Sequence, residues 1–150
     1  MGRTILLGFA AGFLAVLVFH QGAAVLLHLL TVKAGVGAGL IGRVPFPYRM
    51  ASVPPFGVPQ VISSAFWGGV WGVMLAVLLR GLPGLPDLLF GFLFGAFVLT
   101  VVGFTLVATL KGLPTFAGGN KQIWWRAGLV NGAWGLGAAL MLRPVRRFAR

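Results

Sequence analysis

The sequence lacks cysteine entirely and contains a single acidic residue, Asp87, among its 150 residues. Without cysteine the chain can form neither a disulfide nor a thiolate metal site, and the sequence does not indicate its redox compartment. The apolar runs contain no acid, which argues against a proton-coupled carrier built on an intramembrane carboxylate. No histidine–acid pair is apparent from the spacing, so a hydrolytic triad is not predicted either.

Charge of either sign is scarce, and apolar residues dominate. Only 9% of the residues are charged and 59% are hydrophobic, with a mean hydropathy of +0.99. A soluble domain averages about 25% charged residues, so this chain has too little polar surface to stay in water. Several apolar runs reach about 20 residues, the length at which a helix crosses a bilayer. The composition predicts an all-α integral membrane protein.

The net charge of +11 comes from 12 lysines and arginines. In a soluble protein this balance would indicate nucleic acid as a partner. Here the basic residues lie at the ends of the apolar runs, where they anchor helices against anionic headgroups. The expected partner is therefore the lipid bilayer, with no nucleic acid.

Four transmembrane helices are predicted within one domain, residues 1–150. Their expected limits are Ile5–Leu30, Val61–Leu79, Leu88–Leu110 and Ile123–Leu142. The first connection, residues 31–60, is long and contains Pro45, Pro47, Pro54, Pro55 and Pro59. Proline lacks an N–H and restricts its predecessor, so this loop cannot be one continuous helix. Its apolar character predicts an interfacial cap over the bundle.

Small residues at helical spacing suggest an internal duplication. Ala65, Gly69, Gly72 and Ala76 form one stripe, and Gly128, Gly132, Gly135 and Ala139 repeat it, with Trp71 matching Trp134. Gly8 and Gly12 of the first helix similarly match Gly91 and Gly95 of the third. We predict two tandem helix pairs, about 5–80 and 88–143, in the same membrane orientation. The two stripes are expected to pack the second helices of the pairs closely together.

The segments SVPPFGVPQVISSAFWGGVWG and WRAGLVNGAWG resemble a group of small uncharacterised bacterial four-span inner-membrane proteins. The resemblance covers most of the chain and implies a multi-pass inner-membrane protein, with no activity attached. Orientation is poorly determined, because basic residues divide evenly between the two ends. The C-terminal cluster RPVRRFAR favours cytoplasmic termini, and dual insertion is the alternative.

The polar residues inside the predicted spans are the candidates for a site: His20, Gln21, His28 and Asn131. The two histidines lie about 12 Å apart along one helix, too far to be axial ligands of one haem. We expect His20 and Gln21 to face a cavity or a second protein beneath the proline loop, or alternatively to bond to neighbouring helices. Asn131 should lie at the contact between the second and fourth helices. The less favoured alternative is that it lines a pore.

These features favour a non-enzymatic accessory or scaffold subunit, associating through its glycine faces as a homo-oligomer or within a larger membrane complex. The alternative is a small oligomeric permease or channel for an anion or a neutral solute. A redox subunit that shares cofactor ligation with a second subunit is a third hypothesis. The sequence itself assigns no catalytic, cofactor-binding or metal-binding residue, and no cofactor.

Overall fold

A computed structural model describes residues 1–54, 56–82 and 84–147, with side chains up to residue 144. The chain is mostly helical, at 78%. The long helices are α1 (Gly2–Lys33), α3 (Gln60–Gly81), α4 (Asp87–Leu110) and α5 (Lys121–Arg147). The predictions that concern Pro55, Pro83 and the side chains of RPVRRFAR beyond Pro144 lie outside the described residues.

The long first loop is not helical throughout, as its prolines require. It contains a short helix, α2 (Ala38–Ile41), and a two-stranded antiparallel hairpin of β1 (Ser52–Val53) and β2 (Val58–Pro59). Gly57 lies between the two strands, and its φ of 65° favours glycine. The loop leads directly into α3 at Gln60.

Three helices in the described part of the chain, α1, α3 and α4, are long and apolar enough to cross a membrane. Their outward side chains are apolar as well, for example Leu14 and Val18 on α1 and Phe97 on α4. This pattern confirms the coarse prediction of a helical protein compatible with a membrane. The described residues of α5 do not reach the same apolarity, so the fourth span stays a prediction.

The lower apolarity of α5 has a physical reason in its environment. It contains Arg126 and Asn131, yet its face at Val130, Ala138 and Leu142 is buried among the other helices. A helix covered by neighbours needs less hydrocarbon surface than one that faces lipid on most sides.

The helices of each consecutive pair approach each other through glycine. In the first pair, a Cβ added to Gly72 would lie 2.7 Å from the Cα of Gly12. A Cβ at Gly8 would lie 2.9 Å from the Cβ of Ala76, and one at Gly12 would overlap the carbonyl of Gly68. Backbone therefore meets backbone between α1 and α3, and no larger residue fits there.

The second pair, α4 and α5, has contacts of the same kind. A Cβ at Gly135 would lie 3.1 Å from the amide nitrogen of Gly95, and one at Gly91 would lie 2.6 Å from the Cβ of Ala139. The aromatic ring beside each contact also matches, since Phe9 covers Gly69 and Phe92 covers Gly132.

The expectation that the two stripes pack α3 against α5 was wrong. The stripe of α3 contacts α1, and the stripe of α5 contacts α4, within each pair. Helical periodicity identifies which residues share a face, and it does not identify the helix that covers that face. Consecutive antiparallel helices joined by a connection are the nearest candidates for such contact.

Trp134 joins the two pairs at the centre of the bundle. Its side chain is 1% exposed, and its Nε1–H donates to the carbonyl oxygen of Gly12 at 2.9 Å. Its ring centroid lies 6.5 Å from that of Phe94, and Trp71 packs edge-on against the same phenylalanine at 6.2 Å. Trp71 and Trp134 thus both pack against the ring of Phe94.

The close approach at Gly12 predicts the effect of one added methyl group. Gly12→Ala should lower the melting temperature in detergent, because overpacking against a backbone costs about 1–3 kcal/mol. Gly22→Ala is the matched control on the same helix, since its added Cβ would meet nothing within 4 Å. The control should melt at the wild-type temperature or above. Equal melting of both variants would contradict the packing at Gly12.

Candidate functional site

A cavity of about 290 Å³ lies beneath the proline loop. Helix α1 contributes His20 and Gln21 to its wall, and the loop contributes Tyr48 and Arg49. The first turns of α3 provide Gln60 and Ser64, while α5 provides Arg126 and Asn131. The remaining wall is largely apolar, with Val44, Phe46, Val61, Ile123 and Val130. The cavity is therefore lined by α1, the proline loop, α3 and α5.

A wide turn in α1 prepares the first side of this cavity. Residues Val16–His20 form a π-helical turn, a rare feature often found at functional sites. The hydroxyl of Tyr48 donates to the Leu17 carbonyl within this turn at 2.8 Å. The loop is thereby attached to α1 directly beside His20 and Gln21.

A chain of hydrogen bonds runs through the polar wall. The backbone N–H of Tyr48 donates to Oε1 of Gln21 at 2.8 Å, which fixes the orientation of that amide. The Gln21 Nε2 group therefore faces Nδ1 of His20, at 3.4 Å, and donates to it. On the same wall, Nδ2 of Asn131 donates to Thr100 Oγ1 at 3.0 Å.

The bond from Gln21 determines the tautomer of His20. Because Nδ1 accepts from Gln21, the proton of the neutral ring is on Nε2. Ser64 also lines the cavity, and no hydrogen bond joins it to His20 within the described residues.

His28 lies outside the cavity and holds the loop in place. Its Nδ1 lies 2.7 Å from the carbonyl oxygen of Val44, and its ring is edge-on to Phe46 at 5.5 Å. The N–H of Val44 donates to Thr31 Oγ1 at 3.0 Å, and that hydroxyl donates to the Leu27 carbonyl. The carbonyl oxygen and the N–H of Val44 are thus both bonded to α1. These bonds hold the loop in place as the roof of the cavity.

Tyr48 is held in an unfavourable backbone conformation at the edge of the cavity. Its φ is 55°, in the left-handed region that bulky residues rarely adopt. Such a residue costs on the order of 1–3 kcal/mol and persists only when its surroundings determine it. Here the bonds to Gln21 and Leu17 provide that constraint.

The electrostatic environment of the cavity is positive. Arg49 and Arg126 line it, and Arg43 lies next to it because its carbonyl accepts from Arg126 at 3.5 Å. The one acid of the chain, Asp87, begins α4 after the 22 residues of α3 have crossed the bundle. At 1.5 Å per residue it is about 30 Å away along the axis. No carboxylate therefore neutralises these arginines locally.

Three of the four predicted site residues, His20, Gln21 and Asn131, line one cavity beneath the proline loop, whereas His28 does not. Asn131 was expected at a contact between α3 and α5, and it bonds instead to Thr100 of α4. The roles of Tyr48, Arg49 and Arg126 were missed. For Tyr48 and Arg49 the signal was a lone tyrosine and an arginine inside the proline loop.

Within residues 1–54, 56–82 and 84–147, no group of three or more histidine and acidic side chains is placed to hold a metal ion. Comparisons of the chain with protein families, curated proteins and solved structures find no match.

The hydrogen bond between Tyr48 and Gln21 predicts the stability of the cavity roof. Gln21→Leu should leave the N–H of a strained residue without its acceptor, at a cost of about 1–3 kcal/mol. Hydrogen exchange of the amides of Val44, Phe46 and Tyr48 should then accelerate about tenfold or more.

Thr105→Val serves as the control, because its hydroxyl bonds only to the Val101 carbonyl of its own helix, at 2.7 Å. This variant should leave exchange in the loop unchanged. Wild-type protection of the loop in Gln21→Leu would show that another contact holds the roof.

Proposed function

We propose that the chain is a non-enzymatic four-span protein of the bacterial inner membrane, built from two tandem helix pairs and acting as an accessory or scaffold module. Its first three spans are α1, α3 and α4, and α5 is the fourth. At 27 residues α5 is longer than the roughly 20 needed to cross a bilayer. Its burial against the other helices accounts for its polar residues.

The tandem arrangement is supported by equivalent contacts in the two pairs. Gly8 meets Ala76 as Gly91 meets Ala139, and Phe9 covers Gly69 as Phe92 covers Gly132. One shift in numbering relates α1 to α4, and a second relates α3 to α5, for all of these contacts. Two copies of a two-span unit have the same orientation, so the proposed pseudo-twofold axis lies along the membrane normal.

The observation that carries the non-enzymatic assignment is the engagement of His20. Its Nδ1 accepts from the side-chain amide of Gln21, and Gln21 and Tyr48 beside it hold the loop against α1. Association with partners would use other surfaces than the glycine stripes, because the glycines of those stripes are already covered within the subunit. The exposed apolar faces of α1, α3 and α4 are the surfaces left for a second copy or a larger complex.

Single cysteines test the spans α1, α3 and α4 of this topology without interference, because the natural chain contains none. Cysteine at Gly2 and Gly84 should react from one side of the membrane with an impermeant maleimide, and cysteine at Val36 and Leu113 from the other. With cytoplasmic termini, Gly2→Cys and Gly84→Cys label only after permeabilisation. Labelling of Gly84→Cys and Leu113→Cys from the same side would show that α4 does not span.

A small oligomeric permease is the second candidate, favoured by the cavity with two arginines and no acid. Against an open pathway, the level of Gly12, about two turns along α1 from His20, is filled by Trp134. The cavity therefore does not continue across the bundle in this conformation, and transport would require the core at Trp134 to open.

Flux through reconstituted protein separates the two candidates. Liposomes loaded with inorganic phosphate and containing the purified protein should release it no faster than protein-free liposomes if the chain is an accessory module. A permease would give faster release that Asn131→Leu reduces, since Asn131 lines the cavity. Such release would replace the accessory assignment by the permease.

A further inference from the structure

The cavity beneath the proline loop combines two arginines with hydrogen-bond donors and contains no carboxylate. We propose that it binds a phosphate-type anion, either free or as the headgroup of an anionic phospholipid. This inference rests on the proposed membrane module and names the ligand class of its cavity. The hydrogen bonds around His20 form without such a ligand. Support for an anion comes from the arginines and the neutral donors that line the same cavity.

The first support is the charge that faces the cavity. Arg126 donates one bond, from Nη1 to the Arg43 carbonyl at 3.5 Å, and a guanidinium has five N–H donors. No hydrogen bond of the Arg49 guanidinium occurs within the described residues. Planar guanidinium groups match the oxygens of a phosphate bidentately, which makes arginine the typical residue for this chemistry.

Neutral donors complete the same wall. Gln60 and Ser64, on the first turns of α3, line the cavity, and their side chains bond to no other described residue. A hydroxyl and an amide can each donate to an anion oxygen beside the arginines. A cation would meet two like charges here, which disfavours its binding.

The second support is size. Each water occupies about 30 Å³ in the liquid, so a cavity of about 290 Å³ holds roughly ten waters or one small ligand. Phosphate or a glycerophosphate headgroup fits that volume, and a whole phospholipid does not. For a lipid, the acyl chains would lie outside, near exposed apolar side chains such as Phe46 at the cavity edge.

The competing explanation is that Arg49 and Arg126 only anchor the ends of spans at the membrane surface, as basic residues commonly do. Lys33 and Lys111 provide the comparison. Both lie at the same end of the bundle, at the ends of α1 and α4, and neither lines the cavity. Removing either pair of charges changes the net charge equally, so a difference between the pairs reports the cavity itself.

The test measures binding to the full chain purified in neutral detergent, by the increase in melting temperature with added probe. The probes are inorganic phosphate and dihexanoyl phosphatidylglycerol, with dihexanoyl phosphatidylcholine as the zwitterionic control. Stabilisation of the wild type is expected with phosphate, with phosphatidylglycerol, or with both. The double variant Arg49→Gln, Arg126→Gln should need about tenfold more probe or greater for half-saturation. Lys33→Gln, Lys111→Gln should bind as the wild type does.

Each outcome decides the proposal. Stabilisation by phosphate shows that a free anion is sufficient. Stabilisation by phosphatidylglycerol alone shows that the ligand is a lipid headgroup. No stabilisation by either probe overturns the site, as does equal weakening by the lysine pair or equal binding of phosphatidylcholine. If the arginine pair fails to fold, Arg49→Gln and Arg126→Gln alone, each against Lys33→Gln, give the same comparison. The cysteine labelling of topology uses no ligand, so its failure is distinct from failure here.

Discussion

The contact on which the bundle depends is the backbone approach of α1 to α3 at Gly12. A side chain of any size at this residue would overlap the carbonyl of Gly68. The Gly12 carbonyl, facing the other way, accepts the indole N–H of Trp134 from α5. One residue therefore sets the distance within the first helix pair and the position of the second pair. In a membrane, where lipid provides little hydrophobic drive between helices, such close packing is a main source of association.

The burial of α5 follows from this contact and explains why polar residues occur in the middle of the protein. With Trp134 fixed against α1, the neighbouring Asn131 donates to Thr100 of α4 and lines the cavity beside α1. Its amide thus has a polar partner inside the bundle, which an amide in hydrocarbon would lack.

The sequence predicted the helices within a few residues, because apolar length and proline positions are local properties. It also identified the small residues that pack and three polar residues that share a cavity. It did not identify which helix covers each stripe, since periodicity defines a face and leaves its neighbour open. The role of Tyr48 was equally inaccessible, because its bonds to Gln21 and Leu17 join residues 27 and 31 positions apart.

The two helix pairs differ at the positions that form the cavity. The cavity is therefore the specialised part of the molecule. In the proposed repeat, His20 corresponds to Gly103 and Gln21 to Phe104. A Cβ at Gly103 would meet nothing within 4 Å, so α4 has open space where α1 has its hydrogen-bond chain. The proline loop, with its strained Tyr48, occurs only in the first pair as well. Shared contacts between glycines provide the framework of both pairs, whereas the loop, the polar residues of α1 and the two arginines together form a feature that packing alone does not require.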